Sequence, residues 1–164
     1  MKKILFILII ICLALLSCAT KSGRTDSKIE DSFPQFFIDS GIMYFSGYGK
    51  DELTSVEEAK NTGCTFIQEC IKNAMSKYIE ENGLDEQTEL YDFSDGIAYR
   101  VAKEMYKSFE SEKTARLKKE DFVSQVKIPF ENVTEAFNRI IAENTSFEAS
   151  AFSEFNLETS FSGE

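Results

Sequence analysis

A long amphipathic helix is the feature that most constrains the fold of this chain. Apolar residues recur at three- and four-residue spacing from residue 56 to residue 79, which places them on one face of a helix. Ser55 and Glu58 match a capping box, in which each side chain bonds the other's backbone amide, so we expect the helix to begin there. Gly83 is predicted to end it in a left-handed conformation. The stripe consists of Val56, Ala59, Gly63, Ile67, Cys70, Ala74 and Tyr78, widened by Ile71, Met75 and Ile79.

Extended segments are predicted on both sides of this helix. The apolar residues 33–38 are expected to dock on the core, and residues 42–49, rich in aromatic and β-branched side chains and ending in glycine, indicate a buried strand. Residues 113–117 and 122–128 flank a charged turn and are typical of a β-hairpin. One face of its second strand is formed by Phe122, Ser124, Val126 and Ile128.

Three further elements complete the predicted order β-α-α-β-β-α-β. A second helical stripe runs from about Ser94 or Asp95 to Phe109, and a short helix begins at Asn132. The tail alternates at period two over 147–161, which favours a final, half-exposed strand. We therefore expect an α+β fold, with a small mixed or antiparallel sheet packed in two layers on one long helix and one or two shorter ones.

The N-terminus indicates a secretory signal peptide. Lys2 and Lys3 precede thirteen consecutive apolar residues, Ile4 to Leu16, and the polar Ser17 follows. The alternative is an uncleaved membrane helix, but a span needs about 20 apolar residues and this run is shorter. Residues 1–17 are therefore predicted to be removed.

The end of this segment resembles the lipobox of bacterial lipoproteins. Leu15, Ser17 and Cys18 occupy the positions of its leucine, its small residue and its obligatory cysteine. The resemblance implies that Cys18 carries a diacylglyceryl thioether and that its amine, exposed by cleavage, can take a further acyl chain such as palmitate. A secreted protein in which Cys18 stays an ordinary thiol is the alternative. Ala19, in place of an aspartate, favours the outer membrane in a bacterium that has one.

The sequence divides into three parts after these assignments. Residues 1–17 are the signal peptide, residues 18–32 are a lipidated flexible tether with polar composition and no apolar periodicity, and residues 33–164 are one domain. Removal of two lysines and no acids changes the net charge from −10 to −12. An acidic body disfavours binding to nucleic acids and gives no electrostatic help in approaching anionic lipids, so membrane contact is expected through the lipid on Cys18.

Composition narrows the candidate sites. The chain has no histidine, which removes the commonest general base and the commonest transition-metal ligand. We therefore predict no catalytic residue, no cofactor-binding residue and no metal ligand. A phosphate-binding loop at Gly47-Tyr48-Gly49 is the sharpest alternative, but Glu52 stands where a third glycine is needed. A tight strand-to-helix turn is the favoured interpretation.

Cys12 leaves with the signal peptide, so Cys64 and Cys70 are the only other thiols. Six residues apart on one helix, they point about 240° apart around its axis and are too distant for a mutual disulfide. We expect them to act as small buried hydrophobic residues, with an intermolecular disulfide as the minority alternative.

The remaining polar features favour a solvated surface. Adjacent carboxylates on a helix diverge instead of converging on a substrate; they are Glu57-Glu58, Glu80-Glu81 and Glu120-Asp121. Asn132 and Asn144 match the glycosylation pattern, which a bacterial lipobox makes irrelevant. Exposure of Phe155, Leu157 and Phe161 in the predicted final strand would create an edge for a partner.

Three segments form a recognisable pattern: Phe45-Ser46-Gly47-Tyr48-Gly49 before the long helix, Glu58-Ala59 within it, and residues 121–129 downstream. In this pattern the domain resembles a family of small bacterial lipoproteins typified by the twenty-kilodalton membrane-associated lipoprotein of Helicobacter. It implies a strand ending in a Gly-x-Gly turn, a helix packed on the sheet, and an accessory envelope protein without enzymatic activity.

We therefore expect a lipid-anchored, non-enzymatic cell-envelope lipoprotein that acts through a protein partner or self-association, as a structural or accessory component. A lipoprotein that binds a small apolar or lipid ligand is the alternative, and an enzyme ranks third. Nucleic acid is not an expected partner.

Overall fold

An antiparallel sheet and a 30-residue helix organise the domain. The structure, a computed structural model, describes residues 32–117 and 121–162. The strands are β1 (Phe36–Asp39), β2 (Ile42–Gly49), β3 (Glu110–Arg116) and β4 (Phe122–Pro129); the helices are α1 (Glu52–Glu81), α2 (Thr88–Met105), α3 (Phe130–Ala142), α4 (Phe147–Ala151) and α5 (Leu157–Ser162). The sheet order is β1-β2-β4-β3, with every neighbouring pair antiparallel. The predicted α+β class and two-layer packing on one long helix are confirmed.

A two-residue turn joins β1 to β2. Asp39 pairs with Ile42, and the turn residues Ser40 and Gly41 have φ angles of 51° and 78°. Positive φ at both positions is the geometry of a type I′ turn, whose twist matches that of the flanking strands. The predicted strand at 42–49 is confirmed, and the apolar segment before it contributes a second strand to the sheet.

Helix α1 begins before the predicted capping box. Asp51 is its N-cap, and the Asp51 carboxylate accepts a 2.7 Å hydrogen bond from the Thr54 amide. The Ser55 hydroxyl donates to the Glu52 carbonyl at 2.8 Å, and its oxygen lies 2.6 Å from Ser124 Oγ on β4. The predicted capping box is therefore wrong, because Ser55 is buried against the sheet and its hydroxyl is engaged there.

Gly83 ends α1 as predicted. Its φ is 67°, and its amide donates to the Glu80 carbonyl at 3.2 Å, while the Leu84 amide donates to the Ile79 carbonyl at 3.0 Å. These two bonds form a Schellman motif, in which a left-handed residue satisfies the last carbonyls of the helix.

The first half of α1 lies directly on strand β2. A Cβ on Gly47 would be 2.1 Å from the Ala59 nitrogen, and one on Gly49 would be 2.4 Å from the Ser55 nitrogen. Both contacts are with helix backbone, so only residues without a side chain permit this approach. The two glycines therefore set the distance between the layers.

The second half of α1 packs against other helices. The Tyr78 ring lies 5.7 Å from the Phe152 ring and 5.4 Å from the Phe155 ring, centroid to centroid. Phe93 of α2 stacks on Phe152 at 5.8 Å. Aromatic side chains therefore fill this end of the core.

The predicted final strand over 147–161 is wrong, since α4 and α5 occupy this region. The Ser146 hydroxyl caps α4 by accepting from the Ala149 amide at 3.3 Å. Phe152 and Leu157 are buried and Phe155 is half-buried, so these residues do not form an exposed strand edge. The side chain of Phe161 lies outside the described residues. Packing into the aromatic cluster prevails over the period-two pattern.

Helices α2 and α3 also begin earlier than predicted. Thr88 starts α2, and Ser94 lies within it, buried, with its hydroxyl donating to the Leu90 carbonyl at 2.7 Å. Helix α3 follows Pro129 directly and begins at Phe130. The predicted hairpin is confirmed as β3 and β4, which extend the predicted strands to Glu110 and Pro129.

Candidate functional site

The predicted lipidation site, Cys18, and the predicted signal peptide, residues 1–17, lie outside the described residues. Of the predicted tether at 18–32, only Ser32 is described. The structure does describe how the chain continues from there into the domain. Phe33 is 6% exposed and packs with Leu117 and Val123 on the sheet face opposite α1, which we call the outer face.

Residues 32–35, the entry segment, are held on the outer face by side-chain hydrogen bonds. The Ser46 hydroxyl donates to the Pro34 carbonyl at 2.9 Å and accepts from Gln125 Nε2 at 3.2 Å. The Ser46 amide donates to the Gln35 carbonyl at 3.1 Å. Ser46 and Gln125 are both buried, and buried hydroxyl and amide groups require such partners.

Lys113 fixes the beginning of the entry segment. Its Nζ donates to the Ser32 carbonyl at 2.6 Å and lies 4.6 Å from the centroid of the Phe33 ring. A cation over an aromatic face is an attractive arrangement. The junction between tether and domain is therefore a defined attachment on strand β3.

This arrangement was not predicted from the sequence. Residues 33–38 were expected to dock on the core, and Phe122, Ser124, Val126 and Ile128 were predicted as one face of the second hairpin strand, but no contact with its other face was predicted. The available signal was Val123, an apolar residue on the other face of the same strand. Since Val123 is 0% exposed, both faces of β4 are covered at this position.

Gly47, Tyr48 and Gly49 are the last three residues of β2 and pair with β4, so the favoured interpretation of a strand-to-helix turn is wrong for them. The connection to α1 is formed by the two residues that follow, Lys50 and Asp51. Both glycines are required by contact with the backbone of α1, and Asp51 and Glu52 are exposed at the start of the helix. Carboxylates at that position repel an anion. The alternative of a phosphate-binding loop has no support in this geometry.

Cys64 and Cys70 are half-buried, and neither is in a disulfide. The Cys64 thiol donates to the Ala102 carbonyl of α2 at 3.1 Å. Burial raises the pKa of this thiol to about 11, although nearby Lys60 acts in the opposite direction. Because the thiolate is the nucleophilic form, Cys64 is poorly suited to nucleophilic chemistry near neutral pH.

The paired carboxylates are surface residues where the structure describes them. Glu57, Glu58, Glu80, Glu81 and Asp121 are all exposed, and Glu120 lies outside the described residues. Within residues 32–117 and 121–162 no group of three metal-ligating side chains is positioned to hold an ion.

Charged side chains near the helices form interhelical ion pairs. Lys72 of α1 lies 3.0 Å from Asp95 of α2, and the hydrogen bond to Asp95 raises the pKa of Lys72. Arg139 of α3 pairs with Glu104 of α2 and with Glu143. Exposed pairs of this kind contribute little to stability. In each pair the positive charge is neutralised by the carboxylate beside it.

Two surface depressions have polar linings. One, of about 290 Å³, lies between the end of α1 and the C-terminal helices. Its lining includes Tyr78 and Phe155 but consists mostly of polar side chains, which are Lys77, Glu81, Glu154, Asn156 and Ser160. The other, of about 390 Å³, is lined by residues of α2 and α3 that include Glu104 and Arg139. An apolar ligand prefers an apolar, enclosed site, so neither depression favours the small-ligand alternative.

None of the helices in the described part of the chain combines the length and apolarity needed to cross a bilayer. No family model, curated protein or solved structure matches the chain. The resemblance to the Helicobacter lipoprotein family therefore remains a prediction from the sequence.

Proposed function

We propose that this protein is a lipid-anchored lipoprotein of the bacterial cell envelope that acts without enzymatic activity, through protein contacts. The observation that carries the proposal is the sequence Leu15-Leu16-Ser17-Cys18, whose two leucines end a thirteen-residue apolar run. The proposal is supported by the entry segment, since a chain attached at Cys18 would meet the domain at a junction fixed by Lys113 and Ser46.

Support for the non-enzymatic part comes from the placement of the titratable groups. A catalytic centre brings such groups together in a cleft with shifted pKa values. The paired carboxylates that the structure describes are exposed on the surface. Burial raises the pKa of the Cys64 thiol, which favours its neutral form.

The two edges of the sheet support an action through protein contacts. Strand β3 carries Glu110, Glu112, Lys113 and Arg116, and charges on an edge strand hinder pairing with another chain. Strand β1 has the sequence Phe-Phe-Ile-Asp and, among the described residues, pairs with β2 alone.

The unpaired backbone groups of β1 can be located from its register. Gln35 and Ser46 form a hydrogen-bonded pair, and hydrogen-bonded pairs alternate along an antiparallel ladder. The backbone groups of Phe36 and Ile38 consequently point away from β2. Ile38 is 56% exposed, so this edge suits strand pairing with a second copy of the chain.

Lipidation is tested by producing the full chain in a bacterial host and measuring the mass of its N-terminal peptide. We expect cleavage before Cys18, two or three acyl chains on it, and recovery with the membrane fraction. The Cys18→Ala variant should remain uncleaved and unlipidated, while Cys12→Ala should behave as the parent. An unchanged mass and membrane fraction for Cys18→Ala would overturn the anchoring.

The protein-contact part is tested by the size of a soluble Cys18→Ser form. We expect self-association that the Ile38→Lys substitution on β1 abolishes and the Ser111→Lys substitution on β3 does not. A monomer at all concentrations would exclude self-association and leave a heterologous partner. Turnover in a broad hydrolase panel that depends on a single carboxylate would contradict the non-enzymatic assignment.

A further inference from the structure

One end of the domain combines the attachment of the tether with exposed apolar side chains. The entry segment meets the sheet where β2 ends and β4 begins, since Phe33 packs on Val123 and Leu117. The register places Tyr48 opposite Val123, and Gly49 opposite Phe122. We define the tether end as residues 48–53, 113–117 and 121–122.

Two large hydrophobic side chains are exposed at the tether end. Leu53, in the first turn of α1, is 69% exposed, and Tyr48, on the outer face of β2, is 46% exposed. The other large hydrophobic side chains exposed in the described residues are Ile38, Tyr99 and Phe147. Of these five exposed side chains, only Leu53 and Tyr48 belong to the tether end, where the entry segment meets the sheet.

The charge of the tether end differs from that of the remaining domain. Among its described residues, Lys50, Lys113 and Arg116 balance Asp51, Glu52 and Asp121, all of them exposed, so these residues have a net charge of zero. All described residues together have 11 lysines and arginines and 23 aspartates and glutamates, a net charge of −12. The net negative charge of the described residues therefore lies outside the tether end.

We propose that the tether end is a membrane-contact surface, on which Leu53 and Tyr48 enter the interfacial region of the bilayer that holds the lipid on Cys18. This inference rests on the proposed lipid anchor. The interfacial region has an acyl-chain boundary and a headgroup layer. The aliphatic side chain of leucine suits the acyl-chain boundary, and the phenol of tyrosine suits the headgroup layer.

The length of the tether supports a bilayer as the occupant. Thirteen residues separate Cys18 from Ser32, so the attachment point can lie at most about 50 Å from the lipid. Such a link raises the effective concentration of the nearby surface at the membrane, and weak contacts are then sufficient. The opposite end of α1 is a further 45 Å or so away along the helix axis.

Electrostatics favours the same orientation. An acidic face is repelled by anionic headgroups over about a Debye length, roughly 8–10 Å in physiological salt. The neutral tether end avoids that repulsion, and its exposed Lys50 can interact with headgroup phosphates. With the tether end on the membrane, the acidic helices point away from the bilayer.

The chain has no tryptophan, so single tryptophans can report membrane depth. The lipidated full chain carrying Leu53→Trp or Tyr48→Trp is reconstituted in vesicles with and without bromine-labelled phosphatidylcholine. Tyr99→Trp and Phe147→Trp are matched controls, because their side chains are also exposed but lie on the helical layer. Fluorescence from Leu53→Trp should fall roughly two-fold with brominated lipid, as expected for a side chain at the acyl boundary, with little change for the controls.

Equal quenching at all four positions, or none at Leu53 and Tyr48, would overturn the membrane-contact surface. The mass of the N-terminal peptide, measured on the same samples, separates this failure from failure of the anchor. A lipidated protein without quenching contradicts only the orientation. An unlipidated protein that does not associate with the vesicles contradicts the proposed anchor and, with it, this inference.

Discussion

The two halves of helix α1 are buried in different ways. Its buried residues are spaced four apart, but they are small toward the N-terminus and large toward the C-terminus: Ser55, Ala59 and Gly63, then Ile67, Ile71, Met75 and Ile79. The backbone of Ser55 and Ala59 lies against Gly49 and Gly47 of β2, and Gly63 lies against the Phe109 ring. The large residues are part of the main hydrophobic core. We call the part of α1 from Ser55 to Gly63 the close-contact half and the part from Ile67 to Ile79 the interlocked half. We expect substitutions in contact with the two halves to change stability by different amounts.

The spacing itself explains the change of partner. At 3.6 residues per turn, a residue four positions on is rotated by about 40°, so the buried line has turned through roughly 240° between Ser55 and Ile79. The sheet covers the first part of this line, and helices α2 and α5 with the Phe152 and Phe155 rings cover the second. A single long helix can thus pack against a sheet on one side and against other helices on another side.

The largest expected effect is in the close-contact half. Gly47→Val should cost more than about 4 kcal/mol of unfolding free energy or prevent folding, since a Cβ there would lie 2.1 Å from backbone that cannot move aside. Urea unfolding of a soluble form starting at residue 19 measures it. The matched control is Gly96→Ala on α2, where nothing lies within 4 Å of the added Cβ; it should raise stability by about 0.5–1 kcal/mol. Similar effects at both positions would contradict the close-contact assignment.

The interlocked half should lose less from a comparable change. Phe152→Ala removes a 2% exposed ring that contacts the Tyr78 and Phe93 rings, and we expect a loss of about 3–4 kcal/mol from the cavity. Thermal and urea unfolding measure it. Phe147 is 73% exposed, so Phe147→Ala should change stability by less than about 0.5 kcal/mol. Equal losses would show that the C-terminal helices are not part of the core.

Hydroxyl contacts reinforce the close-contact half. Ser124 Oγ lies 2.6 Å from Ser55 Oγ and 2.9 Å from Thr114 Oγ1, which links α1 to two strands. A double-mutant cycle with Ser55→Ala and Ser124→Ala should give a coupling of about 0.5–1.5 kcal/mol. Urea unfolding of the four proteins measures it, and additive single-mutant losses would mean that the two hydroxyls do not interact.

The smallest effect concerns pH at the contact between α1 and α2. Burial raises the pKa of Cys64 from its ordinary value of 9.0 to about 11. The contribution of this thiol to stability is therefore full below about pH 9 and is lost as the pH rises toward 11, because the unfolded thiol ionises first.

Iodoacetamide labelling of a Cys70→Ser variant, followed by mass spectrometry, tests this shift. The labelling rate of Cys64 in the folded protein should still increase above pH 9, whereas a solvent-exposed thiol levels off near its ordinary pKa. A plateau near pH 9 would show that the thiol is not desolvated by α2.

Much of the fold followed from local patterns. The strand at 42–49, the α1 stripe, its end at Gly83 and the β3–β4 hairpin were predicted because periodicity and turn chemistry act over a few residues. The start of α1 was predicted too late, since Ser55 looks like a cap in sequence but is buried against Ser124 in the fold.

The tail shows why the remaining elements could not be predicted. Alternation over 147–161 favoured a strand, but a strand also needs a partner edge, and Phe152 instead enters the cluster formed by Tyr78 and Phe93. The entry segment was missed for a similar reason. Ser46 and Gln125 are 79 positions apart, and their shared hydrogen bond has no local signature.

The distribution of charge shows what the composition predicts and what only the fold decides. Composition gave an acidic chain and an expectation that the domain would stay away from anionic lipids. The fold gathers Lys50, Lys113 and Arg116 at one end, where they balance the nearby acids. Proximity of residues 50 and 113 is a property of the sheet, not of the sequence order.

The sequence by itself determined the α+β class and the long helix, because both depend on residue identity or short-range spacing. It also predicts a lipobox at Cys18 from residue identity alone. Only the tertiary structure decided which faces of the sheet are buried, where the tether joins the domain and which side chains remain exposed. Those properties depend on contacts between residues far apart in the chain, such as Phe33 with Val123 and Gly47 with Ala59.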